Sequence, residues 1–309
     1  MENVVIIGSG PAGLTAAIYS ARALLNPLVI AGTTPGGQLT QTSDIENYPG
    51  FQEPVGGFDL MTSFQKQAER FGTRTVYDNV SSVKLTSGGP HEIILEGGNK
   101  IQTHTVIIAT GASPMWLGLE SEKRLMTKGV SACATCDGAF YRNVPVVVVG
   151  GGDTAMEEAI FLTRFASKVI VVHRRDELRA SKIMAERAMK NPKISFEWSS
   201  AVEEITGQNE VDGVSLRNLK TGGKKRIACK GFFVALGHKP NTEVFKGLLE
   251  MNDVGYIVLK QERSYTSIEG VFAAGDCADH VYRQAVTAAG MGCKAAIDAE
   301  RWLEARHKN

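Results

Sequence analysis

Two cysteines three positions apart, in the run Cys133-Ala134-Thr135-Cys136, have the spacing of a redox dithiol or of half a zinc site. Zinc asks for further thiolate or imidazole ligands nearby. The chain holds no second C-x-x-C, and the histidines nearest in sequence, His104 and His173, stand singly. A redox pair therefore fits better than a metal site, with a buried inert pair as the plain alternative. In a helical turn, residues i and i+3 carry Cβ atoms about 5–6 Å apart, whereas a disulfide wants about 3.5–4.5 Å. A C-x-x-C turn of that kind is expected to tighten on oxidation, which would ease reduction of the bond. Asp137 follows directly. A carboxyl group beside a dithiol can protonate a departing thiolate or deprotonate a thiol. An aspartate that only caps or turns the chain would read the same, and the sequence leaves both open. Cys229, Cys277 and Cys293 stand singly among apolar or small residues and read as structural.

The second source of chemistry is glycine. Gly8-Ser9-Gly10-Pro11-Ala12-Gly13 has the spacing G-x-G-x-x-G, directly after the apolar run Val4-Val5-Ile6-Ile7. In this pattern the first glycine makes the turn, the second lets backbone approach a pyrophosphate, and the third lets helix and strand pack closely. The helix N-terminus then offers free N–H groups and partial positive charge to phosphate. A merely flexible glycine turn is the bland reading, and the strand before and helix after argue against it. An acid about 20 residues on should bind a ribose hydroxyl, yet no Asp or Glu occurs between Asn3 and Ser43. Either the ribose is held otherwise, or the contact comes from the Gly36-Gly37-Gln38 loop. A second fingerprint, Gly150-Gly151-Gly152-Asp153-Thr154-Ala155, follows Val146-Val147-Val148-Val149. Here the place of the acid is taken by His173-Arg174-Arg175, with Arg179 after it. Guanidinium in place of carboxylate suits the 2′-phosphate of NADP, and Arg binds phosphate bidentately. A solvated basic turn is the alternative, weakened by the position at the end of a strand. Two nucleotide units imply two nucleotides. A nicotinamide donates hydride, and something must accept it and pass electrons to sulfur; a flavin does both. The first unit would hold FAD and the second NADPH.

The elements that position these groups repeat. Val4–Ile7, a helix over Pro11 to Leu25 and a strand over Pro27 to Ile30 make one β-α-β unit. Val146–Val149, a helix over about Thr154 to Arg164 and a strand over Lys168 to Val172 make another. Continuous apolar runs of this kind suit buried parallel strands. Further strands are expected at Val106–Ala109, Phe232–Ala235 and Gly270–Ala274, the last followed by Gly275-Asp276 and a long helix from about Tyr282 to Ala305. The expected fold is α/β, with two Rossmann-like dinucleotide-binding domains, the second inserted into the first. Residues 1–112 and 237–309 would form the FAD-binding domain, and residues 113–236 an NADPH-binding domain carrying the C-x-x-C.

Composition sets bounds. Of the 309 residues, 43% are hydrophobic and 22% charged, as in an ordinary globular protein able to bury a substantial core. Glycine is high, 33 residues against about 7% in typical usage. A net charge of +1 gives no global field calling for nucleic acid or an anionic membrane. Five cysteines in a chain of this size are no disulfide scaffold. No signal peptide or membrane-length apolar run is visible, so the cytoplasm is the expected compartment.

Together these motifs resemble the low-molecular-weight thioredoxin reductases. The resemblance rests on Ala132-Cys133-Ala134-Thr135-Cys136-Asp137-Gly138, Gly36-Gly37-Gln38-Leu39, the run from Gly150 to Glu158, His173-Arg174-Arg175, Gly275-Asp276 and Arg283-Gln284-Ala285. It covers nearly the whole chain in order. It implies a homodimer with one FAD and one redox disulfide per subunit. FAD would be held by Ser9 to Ala12, Gln38, Asn47, Val80, Asp276 and Arg283 to Ala285. NADPH would be held by Gly152 to Thr154, Arg174, Arg175 and Arg179. Cys136 would lie nearer the flavin, Cys133 would attack the partner disulfide, and Asp137 would be the acid/base. Two departures concern the partner. Ala139 stands where a bulky residue is usual, leaving Phe140 and Tyr141 as aromatic docking candidates, and Met115-Trp116 stands where a basic residue is common.

The implied path runs from NADPH to FAD, to Cys133–Cys136, to the disulfide of thioredoxin. About 30 mV between two dithiols shifts such an exchange by roughly 1.4 kcal/mol, so matched couples stay reversible. The cysteine pair and the NADPH site share one domain, yet both must reach one flavin in the other. The inserted domain is therefore expected to swivel, with hinges near 111–115 and 235–240. A reductase of peroxiredoxin is the nearest alternative, and a flavin redox sensor without turnover a more distant one.

Overall fold

The computed structural model describes residues 1–42 and 44–307. It divides into two compact units, Met1–Ser113 with Lys239–Asn309, and Pro114–His238. In chain order the elements begin β1 (Glu2–Ile7), α1 (Pro11–Arg22), β2 (Leu28–Ile30), α2 (Gly57–Arg70), β3 (Arg74–Val76), β4 (Val80–Lys84), β5 (His91–Leu95) and β6 (Lys100–Ile108). They continue β7 (Ala112–Pro114), α3 (Glu120–Arg124), β8 (Val130–Ser131), α4 (Ala134–Asp137), β9 (Pro145–Val149), α5 (Asp153–Leu162), β10 (Lys168–Val172), α6 (Lys182–Met189) and β11 (Ile194–Glu197). They close with β12 (Ser200–Thr206), β13 (Gly213–Asn218), β14 (Lys224–Ala228), β15 (Gly231–Val234), β16 (His238–Pro240), β17 (Val271–Ala273) and α7 (Ala285–His307). The short strands β7 and β16, where the chain passes between the units, pair as a ribbon.

In the first unit the sheet runs β3-β2-β1-β6-β5-β4, with β17 also on β6. β1 pairs parallel with both β2 and β6, so strand order reverses at β1. The crevice beyond the carboxyl end of a strand at such a switch point is where α/β sheets bind ligands. Val4 and Ile6 are buried in one face with Ala16, Ala17, Ala295 and Ala299, while Val5 and Ile7 are buried in the other with Ile93, Phe245 and Val271. Burial on both faces is why β1 reads as an unbroken apolar run rather than an alternating one. Alanine on α1 and α7 lets those helices lie close. At Gly292 of α7 an added Cβ would collide with the carbonyl of Ala12.

The second unit repeats the plan with order β11-β10-β9-β15-β8 and a three-stranded antiparallel sheet β12-β13-β14. β9 pairs parallel with β10 and β15, so its carboxyl end is again a switch point. Val146 and Val148 face one core, and Val147 and Val149 the other.

Two helix ends differ from the sequence reading. α1 stops at Arg22 rather than Leu25. Leu24 (φ 60°) and Asn26 (φ 52°) are left-handed, and the α region is disfavoured for a residue before proline such as Asn26. The final helix starts at Ala285 rather than Tyr282. The Asp279 carboxylate draws in the N–H groups of Val281, Tyr282 and Arg283 at 2.8, 2.9 and 3.3 Å, and Arg283 adopts φ 48°. That local capture holds the segment out of the helix.

Candidate functional site

The first glycine turn is shaped by what its missing side chains would hit. Gly8 lies at φ 112°, and a Cβ there would collide with the carbonyl of Ala109. One at Gly13 would collide with the carbonyl of Gly8, whereas one at Gly10 meets nothing within 4 Å. Two glycines thus serve packing and the middle one faces open space. Pro11 occupies the first turn of α1, and no side chain caps it. The second turn shows the same division. At Gly150 a Cβ would sit 2.5 Å from the carbonyl of Ala235, and at Gly152 nothing lies within 4 Å. α5 too begins without a side-chain cap. Both turns fit a nucleotide pyrophosphate: open backbone, uncapped N–H groups and a helix N-terminus.

Around the first turn, the Ser9 hydroxyl donates to the carbonyl of Ala31 at 3.1 Å and accepts the Gly36 N–H at 3.0 Å. This draws the Gly36–Gly37 loop over the turn, so that a Cβ on Gly37 would lie 3.6 Å from Gly10 Cα. The Gln38 amide donates to the carbonyl of Ala112. Asn47 reaches Gln284 at 3.4 Å, across most of the chain's length in sequence. Val80 opens β4 half-buried, and Ala285 opens α7. Asp276 follows β17. Burial, then the charge of Asp279, pushes its carboxyl up to about 6, and Arg283 offsets part of that.

Around the second turn, the chain leaving β10 folds back. Arg179 and Ala180 donate N–H groups to the carbonyl of Gly151 at 2.7 and 3.1 Å. The His173 ring fills the space beside Gly151, where a Cβ would collide with it. The Asp153 carboxylate is occupied by Ser181, accepting its N–H and hydroxyl at 2.8 Å each. Thr154 sits half-buried in the first turn of α5, and Arg174, Arg175 and Arg179 are exposed. Asp153 therefore fastens the arginine-bearing segment to the turn.

Cys133 and Cys136 are joined by a disulfide with Cα atoms 5.3 Å apart. Its geometry corrects the expectation of a wholly helical turn. Cys133 stands outside α4 as its extended N-cap, at φ −142° and ψ 96°. Its sulfur accepts the Cys136 N–H at 3.3 Å and lies 3.3 Å from the Thr135 hydroxyl. These contacts would favour a thiolate at Cys133 once the bond opens. Burial pushes the Asp137 carboxyl up, and Ser131 pulls it part of the way back; Asp137 stands at the start of the 3-10 turn Gly138–Phe140, without a capping bond from its side chain. Ser131 carried no signal in the sequence. Of the two aromatic docking candidates, Phe140 is exposed. Tyr141 instead packs edge-on against Phe233 at 5.2 Å, and burial lifts its phenol to about 12.

Among the described residues, no group of three or more His, Cys, Asp or Glu side chains is gathered to hold a metal, and no helix is long and apolar enough to cross a membrane.

Comparison with known proteins bears on this site. The family described as pyridine nucleotide-disulphide oxidoreductase matches residues 2–292. A thioredoxin reductase of Streptomyces clavuligerus is 53% identical over 306 residues, covering 99% of this chain and 95% of that one. A solved thioredoxin reductase from Giardia duodenalis superposes with a TM-score of 0.93 at 46% identity, covering 98% of each chain. One from Streptococcus pyogenes gives 0.94 at 43% identity, covering 99% of each.

Proposed function

The chain belongs to the pyridine nucleotide-disulphide oxidoreductase family, and on that premise we propose that it is a flavoenzyme using NADPH to reduce the disulfide of thioredoxin. The observation that carries this reading is the Cys133–Cys136 disulfide in one unit with an arginine-flanked nucleotide turn. The relatives' names support thioredoxin as the substrate. The turn Gly8–Gly13, with the segment Asp276–Ala285, would hold FAD. The turn Gly150–Asp153, with Arg174, Arg175 and Arg179, would hold NADPH. Bound FAD supplies a carrier that accepts hydride from the nicotinamide and delivers an electron pair to sulfur.

The chain's own sulfurs do the rest. The Cys133 thiolate attacks the partner disulfide, a mixed disulfide forms, and one partner sulfur leaves and takes a proton. Cys136 then attacks Cys133, which restores the internal disulfide and releases the second partner sulfur. Asp137, whose carboxyl is pushed up by its burial, serves as the acid and base. The resemblance carries with it a homodimer in the cytoplasm. The cysteine pair and the arginines lie in the unit Pro114–His238 and the first glycine turn in the other. The former unit is therefore inferred to turn about its two connections during turnover. A cross-link locking those connections should stop turnover with thioredoxin, and intact turnover would refute the swivel.

The central test uses Cys136→Ser. With NADPH and thioredoxin, the purified protein should release thiols; the variant should release none while its flavin is still reduced by NADPH. Loss of flavin reduction in the variant would contradict the assigned order.

A further inference from the structure

The segment that carries Arg174, Arg175 and Arg179 is tied down at both ends. Where it leaves β10 the ties are main chain to main chain. The His173 N–H donates to the Glu197 carbonyl at 3.0 Å, and the His173 and Arg175 carbonyls accept the N–H groups of Ser200 and Ser199 at 2.9 Å each. Midway, Asp176 pairs with Lys220 at 2.5 Å, an exposed ion pair of the kind that contributes little. At the far end, Arg179 and Ala180 give their N–H groups to the Gly151 carbonyl. Ser181 then gives both its N–H and its hydroxyl to one carboxylate oxygen of Asp153, each at 2.8 Å. Of these bonds at the far end, the two to Asp153 depend on side chains, so they are the part that sequence can tune.

Ser181 is the N-cap residue of α6, at φ −55° and ψ 147°, yet its side chain makes no cap to that helix. An N-cap serine characteristically accepts an N–H from the helix it precedes. Here the hydroxyl turns to Asp153, the first residue of α5, which likewise begins without a side-chain cap. One contact thus joins the starts of two helices. At the start of α5 a nucleotide pyrophosphate is expected, and α6 follows directly on the arginines.

Resting on the reading of Gly150–Asp153 with Arg174, Arg175 and Arg179 as the NADPH site, we propose that Ser181 is a positioning residue that sets the preference for NADPH over NADH. The pyrophosphate and the 2′-phosphate of NADPH are covalently fixed to each other. The glycine turn and the arginines must therefore stand at a matching separation before the nucleotide arrives. The main-chain bonds set that separation coarsely, and the Ser181–Asp153 bonds take up the slack. A site ordered in advance spares the ligand the entropy of ordering it. NADH has no 2′-phosphate and engages only the turn, so slack in the arginine segment leaves its binding unchanged. Ser181 acts through the arginines and not on the nucleotide.

The test is a mutant cycle on the holoenzyme, read by anaerobic flavin reduction with NADPH and with NADH. Both the limiting rate and the half-saturating concentration are measured. Ser181→Ala should lower the NADPH-to-NADH preference about 2–5-fold, the low end of the scale of one hydrogen bond, because Ser181 and Asp153 are both exposed. The change should lie in the half-saturating concentration of NADPH, with the limiting rate kept. Ser181→Thr, which keeps the hydroxyl, should restore the preference. In a background of Arg174→Ala, Arg175→Ala and Arg179→Ala, Ser181→Ala should have no further effect, since residues in one network are not additive. The proposal is overturned if Ser181→Ala keeps the wild-type preference, if it lowers the preference by the same factor without the arginines, or if Ser181→Thr fails to restore it. If the arginine-less background by itself keeps the wild-type preference, the assignment of the 2′-phosphate fails and the proposal falls with it.

Discussion

The backbone carbonyl of Gly151 accepts the Arg179 N–H at 2.7 Å, which anchors the segment carrying Arg174 and Arg175 to the second glycine turn. Position is thus set by main chain, and the exposed guanidinium groups are left to meet a ligand. Replacing Arg174 and Arg175 together by alanine should cut kcat/KM for NADPH strongly and leave NADH nearly untouched. A hydrogen bond to a charged group is worth about 1.5–3 kcal/mol, or roughly 10- to 150-fold for each such bond removed. Steady-state assays with both nucleotides decide it, and an unchanged NADPH-to-NADH ratio would show that these arginines do not read the 2′-phosphate.

The three glycines of the first turn should separate binding from folding. Gly10 is not left-handed and has no neighbour within 4 Å of an added Cβ. Gly10→Ala should fold with stability within about 1 kcal/mol of wild type but retain FAD poorly, because the methyl stands where the pyrophosphate is expected. Gly13→Ala should instead lose several kcal/mol, since its methyl would strike the carbonyl of Gly8 and overpacking of this kind costs about 1–3 kcal/mol or more. Thermal unfolding alongside flavin titration checks both. Full FAD retention in Gly10→Ala would count against the turn as the pyrophosphate site.

What the sequence revealed follows from which forces write themselves into residue type. Burial on both faces turned Val4–Ile7 and Val146–Val149 into unbroken apolar runs, and a backbone that must turn or open wrote glycine at fixed offsets. Those signals are local. The departure of Cys133 from the helix is not, because C-x-x-C reads the same whether its first residue is helical or extended. Nothing in Val130-Ser131 distinguishes a serine that holds the Cys133 backbone from one facing water. Asp153 matched the fingerprint by position, yet its carboxylate serves Ser181, 28 residues on. Tyr141 looked like a docking aromatic beside Phe140, and only the packing against Phe233 shows that it is turned inward.

Asp137 should trade stability for reactivity. Burial raises its carboxyl above the ordinary value, so the folded protein holds this proton more tightly than the unfolded chain does. The sign follows from linkage. Below the unfolded value both states are protonated and there is no penalty. As pH rises through the unfolded and then the folded value, the charged form is disfavoured in the folded state and stability falls, reaching its full deficit above both. Asp137→Asn should therefore unfold at a higher temperature than wild type at pH 7.5, with the gain lost as pH falls below the unfolded value, while thiol exchange slows. Equal unfolding temperatures of variant and wild type at pH 7.5 would mean that the carboxyl carries no burial strain.

Arg283 is held at φ 48° by a carboxylate rather than by glycine, and this gives the last prediction. Asp279 gathers three successive N–H groups and thereby fixes Arg283 beside Asp276, whose carboxyl Asp279 pushes up and Arg283 pulls down. Asp279→Ala removes the anchor, and the segment becomes free to continue α7 backward, carrying the Arg283 side chain away. If Arg283 and Asp276 grip FAD, the variant should bind it about 3–30-fold more weakly, the scale of a lost side-chain cap of roughly 0.5–2 kcal/mol. Asp279→Asn, which can still accept from part of the turn, should fall between. Flavin fluorescence on dilution of the holoprotein reads the loss directly. An FAD affinity unchanged in Asp279→Ala would place the cofactor's grip on the Gly8–Gly13 turn and its loop, and not on the segment ahead of α7.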